Sequence, residues 1–140
     1  MQLKMEKILK KIILALLILG ATLFAKVTNE HITKEFLQKN IPIIDIRTPG
    51  EWRETGLLKG AIPIMFFNAR GNYDARTFLK ELNSKVDTTK PFAVICHTGR
   101  RTSAVAPWLS KKFNYKVIDL LGGMEYATKV ILLKTYPYKK

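Results

Sequence analysis

The one cysteine of this 140-residue chain lies in Val94-Ile95-Cys96-His97-Thr98-Gly99-Arg100-Arg101-Thr102, where an apolar run ends and a helical pattern is about to begin. A short loop entering a helix turns several backbone N–H groups toward one point, and the helix N-terminus adds about half a positive charge there. Gly99 lets the backbone curl into an anion-binding nest, and Arg100 and Arg101 bring full charges. Each feature favours thiolate over thiol. Cys96 therefore reads as a nucleophile of lowered pKa in an anion cradle built by His97, Thr98, Gly99, Arg100, Arg101 and Thr102. A buried structural cysteine is the plainer alternative, but it gives no reason for a glycine and two arginines beside the thiol. A Cys–His pair with His97 is set aside, because sequence neighbours at a strand end point apart and no third group orients the ring. Asp45 and Arg47 read as an ion pair tying a loop to the sheet rather than as catalytic groups. His31 falls on a predicted helix and reads as a surface residue. One cysteine excludes an internal disulfide, and with two histidines it makes no His/Cys zinc set, so no metal site is expected.

The elements that must position this loop alternate along the chain. Thr28 or Asn29 caps a predicted helix with Ile32, Phe36 and Leu37 on its apolar face. Ile41 to Ile46 reads as a buried strand, and Arg47 to Gly56 as a loop with a turn at Pro49-Gly50. Ala61 to Phe67 is a second strand, and Asp74 starts a helix with Phe78, Leu79 and Leu82 inward. Pro91 to Cys96 is the third and most apolar strand, followed by a helix from Thr102 to Phe113 that contains Pro107. A strand from Lys116 to Leu121, a Gly122-Gly123 turn and a helix from Met124 to Leu133 complete the pattern. Strands alternating with helices predict an α/β domain around a mostly parallel sheet, in which ligands bind at the carboxyl ends of the strands.

Three motifs in this order resemble the rhodanese (sulfurtransferase) domains. The active loop of that family is Cys, two residues, Gly, one residue, Arg, then Ser or Thr, and here it runs from Cys96 to Thr102. A second signature is present as Asp45-Ile46-Arg47, Glu51-Trp52, Gly56 and Gly60-Ala61-Ile62-Pro63, and a third as Gly122-Gly123. The resemblance spans about residues 28–133. It departs from the family pattern at Leu57-Leu58, where His-Ile or His-Val is common, and at Ala127, where a Trp is common. The resemblance implies a three-layer α/β domain with a central, mostly parallel sheet flanked by helices. It also implies that Cys96 takes a sulfane sulfur from a small anionic donor, such as thiosulfate or a persulfide, and passes it to cyanide or a thiol, without metal or organic cofactor. Two alternatives stand beside it. One is a persulfide carrier that serves a partner without turnover. The other is a phosphatase or arsenate reductase, whose loop needs Cys, five residues, then Arg. Only four residues separate Cys96 from Arg101, and the position such a pattern reserves for arginine is Thr102.

Composition and charge bound the rest. Residues 47% hydrophobic and 25% charged describe a globular chain of one domain. Lys4, Lys7, Lys10 and Lys11 precede an uncharged run from Ile12 to Phe24 that ends at Ala25. A basic segment, about 13 apolar residues and a small residue are the pattern of a secretory signal, shorter than the ~20 residues of a comfortable membrane span. The expected organisation is a signal peptide over residues 1–25, a rhodanese domain over 26–140 and a periplasmic location. An uncleaved N-terminus holding the domain near the membrane is the alternative. Without those four lysines and Glu6, 20 basic and 10 acidic residues remain of the original +13 balance. The lysines are scattered and not interleaved with aromatics, which argues against nucleic acid as a partner. They read as a solvated surface whose field could draw in small anions or sit near anionic lipid.

Overall fold

Ile43 and Ile44 fall in different core clusters, as do Ala93 and Val94, so each strand is apolar on both faces of one sheet. The structure, a computed structural model, describes residues 1–19 and 26–139, so the expected cleavage position at Ala25 lies outside the described residues. Five parallel strands run in the order β1-β6-β5-β2-β4: Thr28–Glu30, Val117–Leu120, Phe92–Ile95, Ile43–Asp45 and Ile62–Pro63. A two-stranded antiparallel ribbon joins β3 (Leu57–Leu58) to β7 (Thr135–Tyr136). On one face, Phe78 and Leu82 of α4 (Ala75–Lys85) and Val105, Ala106 and Leu109 of α5 (Thr102–Phe113) pack on Ile44 and Val94. On the other, Phe36 of α2 (Lys34–Gln38) and Met124 of α6 (Gly123–Glu125) pack with Ile95 and Leu120. Each of these side chains larger than alanine contributes roughly 1.5–3 kcal/mol by leaving water. The expected three-layer α/β architecture is the observed one.

Local differences have local causes. The segment expected to cap the first helix of the domain is instead strand β1, because Thr28, Asn29 and Glu30 pair in parallel with Ile118, Asp119 and Leu120. The helix starts later, where the Thr33 side chain accepts the Phe36 N–H, yet Ile32 and Phe36 are buried as the apolar pattern requires. The segment read as a loop after Arg47 holds α3 (Pro49–Thr55), started by a Thr48/Glu51 capping box with Pro49 in its first turn. Of the expected second strand, Ile62–Pro63 forms β4, and beyond it the Ile64 and Phe66 N–H groups still donate to the Asp45 and Ile46 carbonyls. The final helix is short: after Glu125 the chain makes a π-helical turn over Tyr126–Val130, and Leu132 then adopts a positive φ of 54° before β7. Helix α5 runs through Pro107, whose ring removes one N–H that would otherwise reach the Ser103 carbonyl. At the N-terminus, α1 (Gln2–Leu19) exposes Leu3, Met5, Ile8, Leu9 and Ile12, and no described helix is long and apolar enough to cross a membrane.

One buried ion pair fastens the carboxyl end of β2. Arg47, 2% exposed, donates from Nε and Nη2 to both oxygens of the fully buried Asp45, the closest contact being 2.7 Å. Its remaining donors reach Thr55 Oγ1 at 2.6 Å and the Gly56 carbonyl at 2.7 Å, while Trp52 Nε1 donates to Asp45 Oδ1 at 3.1 Å. The middle and the C-terminal end of α3 are thereby tied to the sheet, in line with the ion pair expected to hold this segment. This fixes Glu51, the α3 residue that matters to the site.

Candidate active site

Strand β5 delivers Cys96 at its carboxyl end, with the thiol 1% exposed among the side chains under α5. The loop that follows is held from outside. The Met124 N–H donates to the Cys96 carbonyl at 2.8 Å and the Glu125 N–H to the His97 carbonyl at 2.9 Å. Gly123 is obligatory for this approach: a Cβ there would lie 2.4 Å from the Cys96 oxygen and 2.6 Å from that of His97. Gly99, at φ 91°, packs on Gly122, whose nitrogen would be 3.1 Å from an added Cβ. A trans peptide places its N–H opposite its carbonyl. Engaging the two carbonyls on α6 therefore turns the N–H groups of His97 and Thr98 to the other side.

Two of the residues anticipated for the cradle, Gly99 and Thr102, converge on the sulfur. The Gly99 N–H donates to Cys96 Sγ at 3.2 Å, and the hydroxyl of buried Thr102 lies 3.8 Å from Sγ while donating to the Gly99 carbonyl at 3.1 Å. The Ser103 N–H also reaches that carbonyl, so Gly99 is held by the first turn of α5. His97, Thr98 and Arg100 are exposed around the loop. Arg101 is also held from outside the loop. Its guanidinium is committed to Glu51 through two hydrogen bonds of 2.6 and 2.8 Å, with Cys96 a second, weaker neighbour. It braces the loop against α3.

Glu51 was overlooked as a site residue, although Thr48-Pro49-Gly50-Glu51 carries the capping-box spacing that would have placed it. Burial alone would push its carboxyl up. The Arg101 hydrogen bonds, the Thr48 N–H and the Arg101 charge outweigh that and hold it down at about 2, below the ordinary 4.5. A second such residue is Asp119 on β6, 3% exposed, whose Oδ1 has no hydrogen-bond partner among the described residues. Its signal was an acid inside the apolar run Val117 to Leu121. A cleft of about 530 Å³ lined by Trp52, Met65, Tyr73 and Tyr138 contains none of the loop residues.

A parallel strand ending in a cysteine, with the following loop clasped between two helix starts, defines a sulfurtransferase-family or related domain. The family model described as "Rhodanese-like domain" matches residues 28–129, and the chain belongs to that family. No curated protein matches it. Among solved structures it is similar to the M. tuberculosis protein Rv0390, at TM-score 0.57 and 16% identity, covering 70% of this chain and 80% of that one. It is similar to a rhodanese-like domain protein from Staphylococcus aureus at TM-score 0.50 and 21% identity, covering 71% and 88%. It also resembles a Rhodopseudomonas palustris protein of unknown function described as a possible tyrosine phosphatase, at TM-score 0.50 and 18% identity, covering 73% and 75%. At these identities the structural likeness speaks for the fold alone.

The Glu51–Arg101 pair gives the site an acid-sensitive brace. Because the folded carboxyl sits at about 2 against an ordinary 4.5, its stabilisation is complete above about pH 4.5 and is lost as pH falls toward 2. Glu51→Gln should lower unfolding free energy at neutral pH by roughly 1–3 kcal/mol, a range that allows for the partial exposure of the pair. Urea titrations of both proteins across this range should show the gap closing in acid. A gap that is absent, or constant with pH, would contradict the brace.

Proposed function

We propose that the domain is a sulfurtransferase in which Cys96 carries a sulfane sulfur. The Cys96 thiolate attacks the outer sulfur of thiosulfate or of a persulfide. A new S–S bond forms to Cys96 while the donor's S–S bond breaks, and sulfite or a thiolate leaves with the electron pair. The persulfide then yields its outer sulfur to cyanide, giving thiocyanate, or to a thiol, and the Cys96 thiolate is regenerated. The Gly99 N–H supplies a preformed hydrogen bond at the sulfur, where negative charge resides. The His97, Thr98 and Arg100 side chains, exposed around the loop, are the groups available to select the donor.

One observation carries the choice of sulfur over phosphate: Arg101 is held by both oxygens of Glu51. A phosphoryl group needs an arginine on its oxygens, and removing one such donor typically costs about 3 kcal/mol of transition-state stabilisation. The short loop closes around a sulfur that is 1% exposed, which suits a single added atom better than a tetrahedral phosphate. The protein should therefore form thiocyanate from thiosulfate and cyanide while leaving aryl phosphates near background. Cys96→Ser, nearly isosteric but unable to form a persulfide, should abolish thiocyanate formation with the fold intact. Efficient aryl phosphate hydrolysis without sulfur transfer, or undiminished turnover by the serine variant, would overturn the assignment. Loading of Cys96 without turnover would leave the domain a persulfide carrier.

We place this reaction outside the cytoplasm, on the strength of the basic segment at Lys4 to Lys11 and the apolar run that follows. Sequencing the N-terminus of protein recovered from the native cell envelope should give a chain starting near Lys26. A chain starting at Met1 in the soluble cytoplasmic fraction would refute the placement.

A further inference from the structure

Among the described residues Asp119 is the one buried acid outside the Asp45–Arg47 pair, and the sulfur-transfer steps give it no task. It pairs in register with Val94 of β5, two residues before Cys96. Strand alternation sets Asp119 on the side of Val117, which belongs to the cluster of Val94, Cys96 and Val105. The side chain therefore lies under the start of α5, where Thr102 stands between it and the thiol: the Thr102 hydroxyl is 3.8 Å from Cys96 Sγ and also acts on the Asp119 carboxyl. Among the described residues Asp119 Oδ1 has no partner, although burying an unpaired carboxylate oxygen is costly.

A hydroxyl has one proton and two lone pairs, so the state of Asp119 decides where the Thr102 proton goes. A carboxylic acid donates to Oγ1 and leaves the hydroxyl proton free for the Gly99 carbonyl and for Sγ. A carboxylate accepts that proton, withdraws it from the loop and sets a second negative charge near the sulfur. We propose that Asp119 is a positioning residue for Cys96: acting through Thr102, its acid form supports an anion on Sγ and its ionised form opposes one. Burial pushes the Asp119 carboxyl up from its ordinary value, which favours the supporting form, with the Thr102 hydroxyl acting the other way. The elements packed on β6 bring little charge to interfere. After β5 comes Cys96 itself. On α5, Arg101 is paired with Glu51, and Lys111 and Lys112 are exposed at the far end. On β1, Glu30 is paired with Lys39. A carboxylate at Asp119 and a thiolate at Cys96 should therefore disfavour one another.

The inference builds on the proposed role of Cys96, but its test needs no sulfur donor: the rate of Cys96 alkylation by iodoacetamide is followed against pH. Asp119→Asn keeps a donor for Thr102 and cannot ionise. It should match the wild type at acidic pH and react about tenfold faster once the wild-type carboxyl is ionised, equivalent to one pKa unit at the thiol. Asp119→Val removes the donor and should fall below both in acid, which a mere packing role shared by the two variants would not produce. Superimposable profiles for the wild type and Asp119→Asn would overturn the proposal. Should neither variant fold, carbon-13 carboxyl titration of the wild type gives the answer. The Asp119 resonance should carry a second inflection where Cys96 ionises, and capping Cys96 with iodoacetamide should abolish it. A single inflection before and after capping would overturn the proposal. Absence of sulfur transfer alone would sink the proposed reaction and leave these titrations unaffected.

Discussion

The Cys96 and His97 carbonyls accept the first N–H groups of α6, at 2.8 and 2.9 Å, and the geometry of the cradle rests on those two bonds. Peptide planarity converts them into an orientation: with the oxygens turned to α6, the opposite edges of the same peptides, which carry N–H groups, face away from it. Further along, the Gly99 peptide completes the turn and brings its N–H to Sγ. The approach has no room for side chains. Gly122 and Gly123 sit at positive φ, and at Gly123 a Cβ would overlap the two carbonyls that define the loop. A glycine pair 26 residues downstream of the cysteine thus belongs to the site as fully as the loop's own glycine.

A second constraint works from the opposite flank. Asp45 and Arg47 are buried together and satisfied by each other, by Trp52, by Thr55 and by the Gly56 carbonyl. Removing either partner of such a pair leaves an uncompensated charge at a typical cost of about 3–5 kcal/mol. Its consequence for function is positional, since it fixes α3 and thereby the carboxylate that receives Arg101. The active loop is held between α6 on one side and the Glu51 brace on the other. Its arginine works as a strut, which is why a count of positive charges along the loop overstates the charge available to an anion.

How much of this could be read in advance depended on range. Apolar runs located the central strands to within a residue or two: residues 91–96 contain β5 and 116–121 contain β6. Asp74 was recognisable as a cap, and its side chain accepts the Thr77 N–H as that reading required. The helix from Thr102 to Phe113 has its expected bounds. The failures came where distant partners decide. Thr28 to Glu30 are polar and carry no strand pattern, and β6 makes them a strand by offering its edge. The brace joins residues 50 apart in sequence, so the loop motif alone could not reveal that Arg101 was already engaged. Asp119 was passed over inside an apolar run because its importance lies in what α5 sets above it.

A sulfane sulfur held on Cys96 by the closed loop, as proposed, is seen without intermediary by mass spectrometry of the protein. After incubation with thiosulfate and removal of the excess, the peptide containing Cys96 should be heavier by one sulfur atom, and cyanide or a thiol reductant should remove that mass. The modification should fall on Cys96 and be absent from Cys96→Ser. A peptide that stays unmodified with every sulfane donor, while Cys96 remains reduced and open to alkylation, would contradict the proposal.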